Sequence, residues 1–304
     1  MTSPNWPALE LARACRGPAR VPFVLPDGDG ERTLGSVAIA HLAALRAWPE
    51  AFEERFHAGA AAPSGGAPRA LALLLAATGR DEALARIHAD LHRRGLIRAW
   101  RDEPYPLRDR EGGEHARIER AASRFWGTLT LGTHCNGFVA DAAGRPTHLW
   151  IARRSQSKPT DPGRLDNLIG GGVALGQSPR EALVREGWEE AGLRPEQMAG
   201  LEEGHVIELD CDIAEGRQHE WLFVFDLALP ADVVPRNTDG EVAEHLLLPV
   251  AEALARAASG ELTTDAALAT FDFAWRRGLI EPSVASEAQI RAFESLCIPR
   301  RVSS

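Results

Sequence analysis

Three glutamates in the middle of the chain have the spacing that metal-assisted phosphate chemistry requires. Glu186, Glu189 and Glu190 stand at i, i+3 and i+4, so on an α-helix they share an arc of about 100°. Like charges this close repel, and a fold tolerates them where solvent covers the face or where a divalent cation binds it. The cluster predicts metal-activated attack of water on a phosphate, and the alternative is an acidic face exposed to solvent.

The elements around these glutamates are predicted from local signals. Ser178 to Glu181 reads as a capping box with proline at the first helical position, so a helix is expected over Ser178–Ala191. Its expected apolar face comprises Leu183, Val184, Gly187, Trp188 and Ala191. A short strand, Leu165–Ile169, followed by three glycines, is predicted to precede the helix and to supply backbone carbonyls near the carboxylates.

The other elements mix strands with helices. Residues from His134 onward predict a hairpin, two further strands and two helices, over His134–Ala140, Thr147–Arg153, Val206–Leu209, Glu220–Leu229, Val250–Ala258 and Ala266–Arg277. Earlier in the chain we expect a helix from Asp81 that stops at Gly95, a strand over Leu96–Trp100, and a surface loop over Arg108–Arg120 that runs into a helix. The run Ala70–Ala77 fits a strand or a short helix. This pattern favours an α/β or α+β sandwich.

Length and charge limit the possible functions. The 304 residues predict about two domains, which we place at 1–125 and 126–304. The 34 basic and 43 acidic residues give a net charge of −9, which argues against nucleic acid as a partner. The first 26 residues contain no apolar run typical of a signal peptide, and no run is long enough to span a membrane. We therefore expect a cytoplasmic protein with no membrane partner and four free cysteines, and leave its oligomeric state open.

The stretch from Gly171 to Leu193 resembles the Nudix box. In that motif a glycine, five residues, a glutamate and seven residues precede R-E-U-x-E-E-x-G-U, where U is apolar. Seven of the nine defined positions match: Gly171, Arg185, Glu186, Glu189, Glu190, Gly192 and Leu193. The resemblance implies a Nudix α/β/α sandwich with a mixed sheet, preceded by a smaller α+β domain. It also implies a hydrolase that uses Mg²⁺, with Mn²⁺ as a substitute, in which the three glutamates and the Gly171 carbonyl bind the metal and Arg185 orients the carboxylates.

Two positions depart from the motif. Gln177 replaces the motif glutamate that in the family helps to order the arginine, and Gly187 replaces an aliphatic residue. Glu181, four residues before Arg185, could supply the missing ion pair. Gly187 weakens the helix by roughly 1 kcal/mol relative to alanine, which packing can offset.

The resemblance extends to one Nudix subfamily with an extra N-terminal domain. The matching segments are Trp150 to Ser155, Lys158, Pro162 to Asn167, His134 to Gly137 and Asp239 to Val242. Eukaryotic members are described as related to thiamine pyrophosphokinase, and some hydrolyse thiamine diphosphate and its oxidised analogues. The chain lacks the phosphate-binding loop G-x-x-x-x-G-K-[ST], so kinase activity is not expected.

Basic and acidic side chains outside the motif complete the predicted site. Arg153, Arg154 and Lys158 form a basic patch that could bind the substrate diphosphate or could simply be a solvated loop. The resemblance implies that a glutamate after the last strands adds a metal ligand or a general base; Glu241 is the first candidate, and Glu244 and Glu220 are the others.

Four further side chains are candidates for a role at the site. His134 and His219 could act at the site, and Trp126 or Trp221 could stack on a flat substrate ring; for each, a structural role is the alternative. We predict no zinc site, because no spacing of histidine and cysteine supports one.

The sequence thus predicts a Nudix pyrophosphohydrolase that acts on a small organic diphosphate, with thiamine diphosphate or its oxidised analogues favoured. One alternative is hydrolysis of a nucleoside diphosphate conjugate such as ADP-ribose. The other is an inactive Nudix-fold binding module, which the intact carboxylates disfavour.

Overall fold

The structure is a computed structural model that describes residues 5–56, 68–158 and 160–299. Residues 1–4, at the start of the segment in which no signal peptide is predicted, lie outside this range. The strands are β1 Arg20–Asp27, β2 Gly30–Ala38, β3 Phe52–Arg55, β4 Ala70–Leu73, β5 Pro104–Arg108, β6 Glu114–Glu119, β7 Leu129–Ala140, β8 Pro146–Arg154, β9 Leu165–Asn167, β10 Ile169–Gly172, β11 Glu202–Ile213, β12 Gly216–Ala228, β13 Val242–Pro249 and β14 Cys297–Ile298. The α-helices are α1 Pro7–Leu11, α2 Leu42–Leu45, α3 Arg80–Arg93, α4 Arg120–Trp126, α5 Pro179–Ala191, α6 Val250–Ala258, α7 Thr264–Arg276 and α8 Glu287–Glu294.

The chain divides into two compact units, each assembled from separated stretches. The larger unit comprises Met1–Arg13, Leu131–Leu209 and Trp221–Ser304, and the smaller comprises Ala14–Thr130 and Asp210–Glu220. The division into functional domains at 1–125 and 126–304 stays a prediction.

The smaller unit contains a four-stranded sheet in the order β2-β1-β4-β3. Strand β1 pairs antiparallel with β2 and parallel with β4. The run Ala70–Ala77, whose sequence fits either a strand or a short helix, forms strand β4 over its first four residues. Phe23 stacks on Trp126 with ring centroids 4.4 Å apart, and both side chains are buried in this unit.

Two predictions for the smaller unit were wrong. No strand forms over Leu96–Trp100, because Gly95 and Ala99 have positive φ angles of 72° and 56°, which an extended strand does not permit. The stretch Arg108–Arg120, predicted as a surface loop that runs into a helix, instead contains the turn of the β5–β6 hairpin and strand β6, and helix α4 then begins at Arg120. Asp109 closes the hairpin turn, because Oδ1 accepts the N–H groups of Glu111 and Gly113 at 3.0 and 2.7 Å.

A larger sheet follows the path β13-β8-β7-β12-β11-β14, with β10 paired to β7 and β9 paired to β8. The predicted hairpin is confirmed as the antiparallel pair β7–β8. The other strands and helices predicted after residue 200 also form, and both strands extend beyond the predicted ranges.

Side chains alternate between two apolar cores on opposite faces of this sheet. Leu149 and Ile151 of β8 pack in a core with α6, α7 and α8, whereas Trp150 packs in the other core with Leu183 of α5. Because successive strand residues point to opposite faces, the sheet lies between two helical layers. The predicted fold class, an α/β/α sandwich accompanied by a smaller α+β sheet, is confirmed. Among the described residues, no helix is long and apolar enough to cross a membrane.

Candidate functional site

Helix α5 begins where the sequence predicts. Ser178 is the N-cap residue; its hydroxyl accepts the N–H of Glu181, and the Glu181 carboxylate accepts the N–H of Ser178. The reciprocal pair satisfies two backbone donors that a helix otherwise leaves free, so the start of α5 is well defined. Buried Leu183 and Ala191 hold the helix on the sheet. Trp188 was wrongly predicted to share that face, since it is 53% exposed.

The three glutamates of α5 differ in their surroundings. The side chains of Glu186 and Glu190 are only 12% and 6% exposed, and that of Glu189 is 37% exposed. Oε2 of Glu190 accepts the N–H of Gly170 at 2.8 Å, which ties the helix to β10. The acidic face exposed to solvent, which is the alternative interpretation, therefore does not form: Glu190 is buried, and the Glu186 side chain is largely buried.

Burial dominates the electrostatics of these carboxylates. The pKa of Glu190 is raised to about 8, chiefly by burial and also by the neighbouring Glu186 charge, while the Gly170 N–H lowers it in part. Burial likewise raises the pKa of Glu186, against the Arg185 charge. Carboxylates held together at this depth gain from a cation that neutralises them.

Arg185 braces the carboxylate face. Its Nη1 donates to Oε2 of Glu189 at 2.7 Å, and its Nη2 donates to Oε1 of Glu186 at 2.8 Å. The predicted Glu181–Arg185 ion pair does not form, because the Glu181 carboxylate is engaged by Ser178 in the capping box. The position left by the motif glutamate is thus not filled by Glu181.

Two glycines of the motif region permit close approach. A Cβ on Gly171 would overlap the Glu186 carboxyl group, so glycine lets the backbone reach the carboxylates. A Cβ on Gly187 would overlap the Met198 side chain, which occupies the space of the aliphatic residue that the motif expects. Packing of Met198 therefore accounts for the departure at Gly187.

The predicted basic patch is brought to the site in part. Lys158 Nζ contacts the Glu241 carboxylate and lies 3.8 Å from Oε1 of Glu190, so these residues and α5 form one cluster. Arg154 borders it through Asp166, whose Oδ2 accepts Nη1 at 2.8 Å.

The patch also has a member that lies apart from the carboxylates. Arg153 pairs instead with Glu244, its register partner on β13. Among the described residues Arg153 has no ion pair with a carboxylate of α5. Glu244 is likewise paired with Arg153 and, within the described ranges, not with a residue of α5.

The remaining candidates lie elsewhere or are enclosed. Glu220 belongs to the smaller unit, where it accepts hydrogen bonds from Arg124 and Thr130 at 2.9 and 3.0 Å. Trp126 is fully buried under Phe23, so the idea that it stacks on a substrate ring is wrong. Trp221 is half-buried, and its indole N–H has no partner within the described part of the chain. His219 is buried in the smaller unit.

Sequence reasoning missed a buried polar network beside the cluster. Its members, which carry hydrogen bonds between strands and α7, are Asn136, Asp166, Asn167, Asp226 and Asp272. The available signal was the presence of polar residues within otherwise apolar strands.

The residues fit a hard divalent cation. Within the described ranges no group of three or more His, Cys, Asp or Glu side chains is already arranged as a metal site, and Arg185 and Lys158 supply the counter-charge. The donors are nonetheless all oxygens; Glu190 is buried, Glu186 is largely buried, and the Gly171 backbone approaches Glu186 without a side chain in the way. That donor chemistry suits Mg²⁺ or Mn²⁺.

Comparison with known proteins agrees with this geometry. Residues 134–267 match the model of the NUDIX domain. The chloroplastic Nudix hydrolases 20 and 24 of Arabidopsis thaliana are 37% and 36% identical over 206 residues, which are 67% of this chain and 54% and 56% of those proteins. The chain thus spans about half the length of these relatives. A solved structure from Deinococcus radiodurans shares 24% identity, covers 56% of this chain and 99% of its own, and gives a TM-score of 0.43. The part of the chain that matches the NUDIX domain, residues 134–267, includes the glycine turn and helix α5.

Proposed function

We propose that the chain is a divalent-metal-dependent Nudix hydrolase that cleaves the phosphoanhydride of a small organic diphosphate. The observation that carries this proposal is the cluster on α5, in which the largely buried Glu186 lies against the side-chain-free backbone of Gly171 and buried Glu190 accepts the Gly170 N–H. The favoured substrate is thiamine diphosphate or an oxidised analogue, with Mg²⁺ as the metal. This choice is supported by the subfamily motifs and by the position of Lys158 beside the carboxylates.

The chain's own groups divide the work of hydrolysis. Glu186, Glu189, Glu190 and the Gly171 carbonyl would hold the cation, which neutralises phosphate charge and activates water when bound. Arg185 keeps Glu186 and Glu189 in place through two hydrogen bonds. The oxygen of water forms a bond to phosphorus, the bridging P–O bond breaks, and a monophosphate and inorganic phosphate leave.

Glu241 is the proposed proton acceptor. Its side chain is 45% exposed and is held next to Glu190 by Lys158. A carboxylate that is exposed enough to meet water and anchored beside the metal-binding group can take the proton of the attacking water at a carboxylate oxygen. Lys158, Arg154 and Arg153 are then the proposed contacts of the substrate phosphates.

Chromatographic measurement of the products formed from several diphosphates tests the function; inorganic phosphate alone is not a sufficient readout, because cleavage of ADP-ribose yields two phosphomonoesters and no free phosphate. With Mg²⁺ or Mn²⁺ present, we expect kcat/KM for thiamine diphosphate or an oxidised analogue to be at least about tenfold above that for ADP-ribose, since a free terminal phosphate offers more charge to the basic patch. Lys158→Ala should narrow this gap more than Arg153→Ala, because only Lys158 lies beside α5.

Each other result has a defined meaning. A preference for ADP-ribose contradicts the thiamine assignment and leaves Nudix chemistry standing. Ligand binding without turnover at any metal concentration contradicts the hydrolase and favours the binding module.

A further inference from the structure

A chain of buried hydrogen bonds connects Asp226 to His134. Asn136 Nδ2 donates to Asp226 Oδ1 at 3.1 Å, and Asn167 Nδ2 donates to Asn136 Oδ1 at 3.0 Å. His134 Nδ1 lies 2.8 Å from Asn167 Oδ1. The four residues are at most 8% exposed, so water cannot replace these partners.

Asp226 sets the direction of every donor in this chain. Its carboxylate, held by Arg276 at 2.8 and 3.0 Å, can only accept hydrogen bonds. Asn136 must therefore turn its NH₂ group toward Asp226, which it does while also donating to the carbonyl of Ala269 at 3.0 Å. Its oxygen then faces Asn167.

The same logic orients Asn167 and then His134. The NH₂ group of Asn167 is used by Asn136 and by the Thr270 hydroxyl at 3.1 Å, so its oxygen faces His134 Nδ1. Asp166 Oδ1, 3.6 Å from Nδ1, adds a second acceptor on that side. Nδ1 must therefore carry the hydrogen, and in a neutral imidazole the lone pair is left on Nε2.

The His134 ring lies at the edge of the proposed metal site. No residue in the described part of the chain bonds Nε2 of His134, and the ring lies against Gly170, whose N–H donates to the Glu190 carboxylate. A single glycine thus separates the imidazole from a proposed metal ligand. A hydrogen-bond acceptor in this position recognises an N–H or O–H donor, which complements a basic patch that recognises phosphate.

We propose that His134 is a substrate-binding residue whose Nε2 accepts a hydrogen bond from an amino or hydroxyl group of the diphosphate, with its tautomer set by the relay from Asp226. The proposal rests on the proposed function for its ligand, whereas the tautomer is a property of the free protein.

Nuclear magnetic resonance tests the tautomer without any turnover. Long-range ¹H–¹⁵N correlation at pH 8, with the His134 signals assigned by their loss in His134→Gln, should show the Nδ1–H form. Asn167→Leu, which removes the nearer of the two acceptors, should shift His134 toward the Nε2–H form that free histidine prefers, while half-buried His148 keeps its spectrum in both proteins. An Nε2–H tautomer in the wild-type chain overturns the proposal.

Kinetics with thiamine diphosphate test the ligand contact. His134→Phe keeps a flat ring against Gly170 but has no acceptor, so KM should rise about five- to tenfold with little change in kcat. His134→Gln retains an oxygen acceptor and should stay within about threefold of the wild type. An unchanged KM in His134→Phe, or an equal rise in both variants, overturns the contact.

Loss of the proposed function has a different signature. If the wild-type chain hydrolyses no diphosphate, the histidine spectrum still decides the tautomer. Addition of thiamine diphosphate then either shifts the Nε2 resonance, which supports the contact, or leaves it unchanged, which overturns it.

Discussion

Replacing Glu190 by Gln separates the metal-binding role of this carboxylate from its role in the fold. The amide has nearly the same shape, and its oxygen can still accept the Gly170 N–H that the carboxylate accepts at 2.8 Å. Lys158 keeps its second partner, Glu241. Because burial raises the pKa of Glu190 to about 8, the substitution chiefly removes the ability of this group to become a negatively charged metal ligand.

The expected effects on rate and on stability have opposite signs. A held metal supplies several kcal/mol of charge stabilisation, so weakening it should lower kcat at least about 100-fold, equivalent to roughly 2.7 kcal/mol. Burying an amide costs less than burying a carboxylate, so the free energy of unfolding without metal should rise by about 1 kcal/mol.

Thermal unfolding with and without Mn²⁺ measures both effects. At about 100 times its Kd, a ligand stabilises the folded state by about 2.7 kcal/mol. For a unit of this size that is a rise in Tm of about 5–10 °C. We expect this rise in the wild type and its loss in Glu190→Gln.

Glu181→Gln is the matched control. It lies on the same helix but points its carboxyl group to the cap, where an amide oxygen can replace it. It should keep both the Mn²⁺-induced rise in Tm and the wild-type kcat. If Glu190→Gln keeps near-full activity and the same rise, or if both variants lose them equally, the metal-site reasoning is refuted.

Three further predictions concern cap, packing and pH. Glu181→Ala should lower the free energy of unfolding by about 0.5–1 kcal/mol in urea titrations and leave kcat/KM unchanged. A loss of activity that Gln177→Glu restores would instead support a Glu181–Arg185 ion pair. Gly187→Ala should change the free energy of unfolding by less than about 1 kcal/mol, because a gain of about 1 kcal/mol in helix propensity opposes the overlap with the flexible end of Met198. In a Met198→Ala background the same substitution should be stabilising; strict additivity would contradict the contact. Burial lowers the pKa of His88 to about 3, so below pH 6.5 the unfolded chain binds a proton that the folded chain does not. The free energy of unfolding should therefore fall by about 2 kcal/mol between pH 6.5 and 5. A His88→Gln variant whose free energy of unfolding has the same pH dependence would contradict this.

Local signals carried much of the prediction for the catalytic helix. The capping box and the proline at the first helical position lie within four residues of one another, so the start of α5 follows from sequence neighbours. The hairpin β7–β8 is equally local. The choice between two local partners is harder: Glu181 can reach either Ser178 or Arg185, and spacing alone does not show that the cap prevails.

Features that depend on distant parts of the chain were not accessible. The relay joins residues 136, 167 and 226, and polar residues so far apart show their connection only when the strands pair. The exposure of Trp188 follows from the way α5 lies on the sheet, and hydrophobicity alone assigned it to the wrong face. Gly187 likewise depends on a distant residue, because the Met198 side chain occupies the space that a Cβ at position 187 would need.

The position of the metal itself tests the central claim most directly. In crystals of the wild-type chain soaked with Mn²⁺, an anomalous difference map should place a peak within coordination distance of the Glu186 and Glu190 carboxylates and the Gly171 carbonyl, with Lys158 displaced from Glu190. An active protein whose manganese peak lies away from helix α5 would contradict the account.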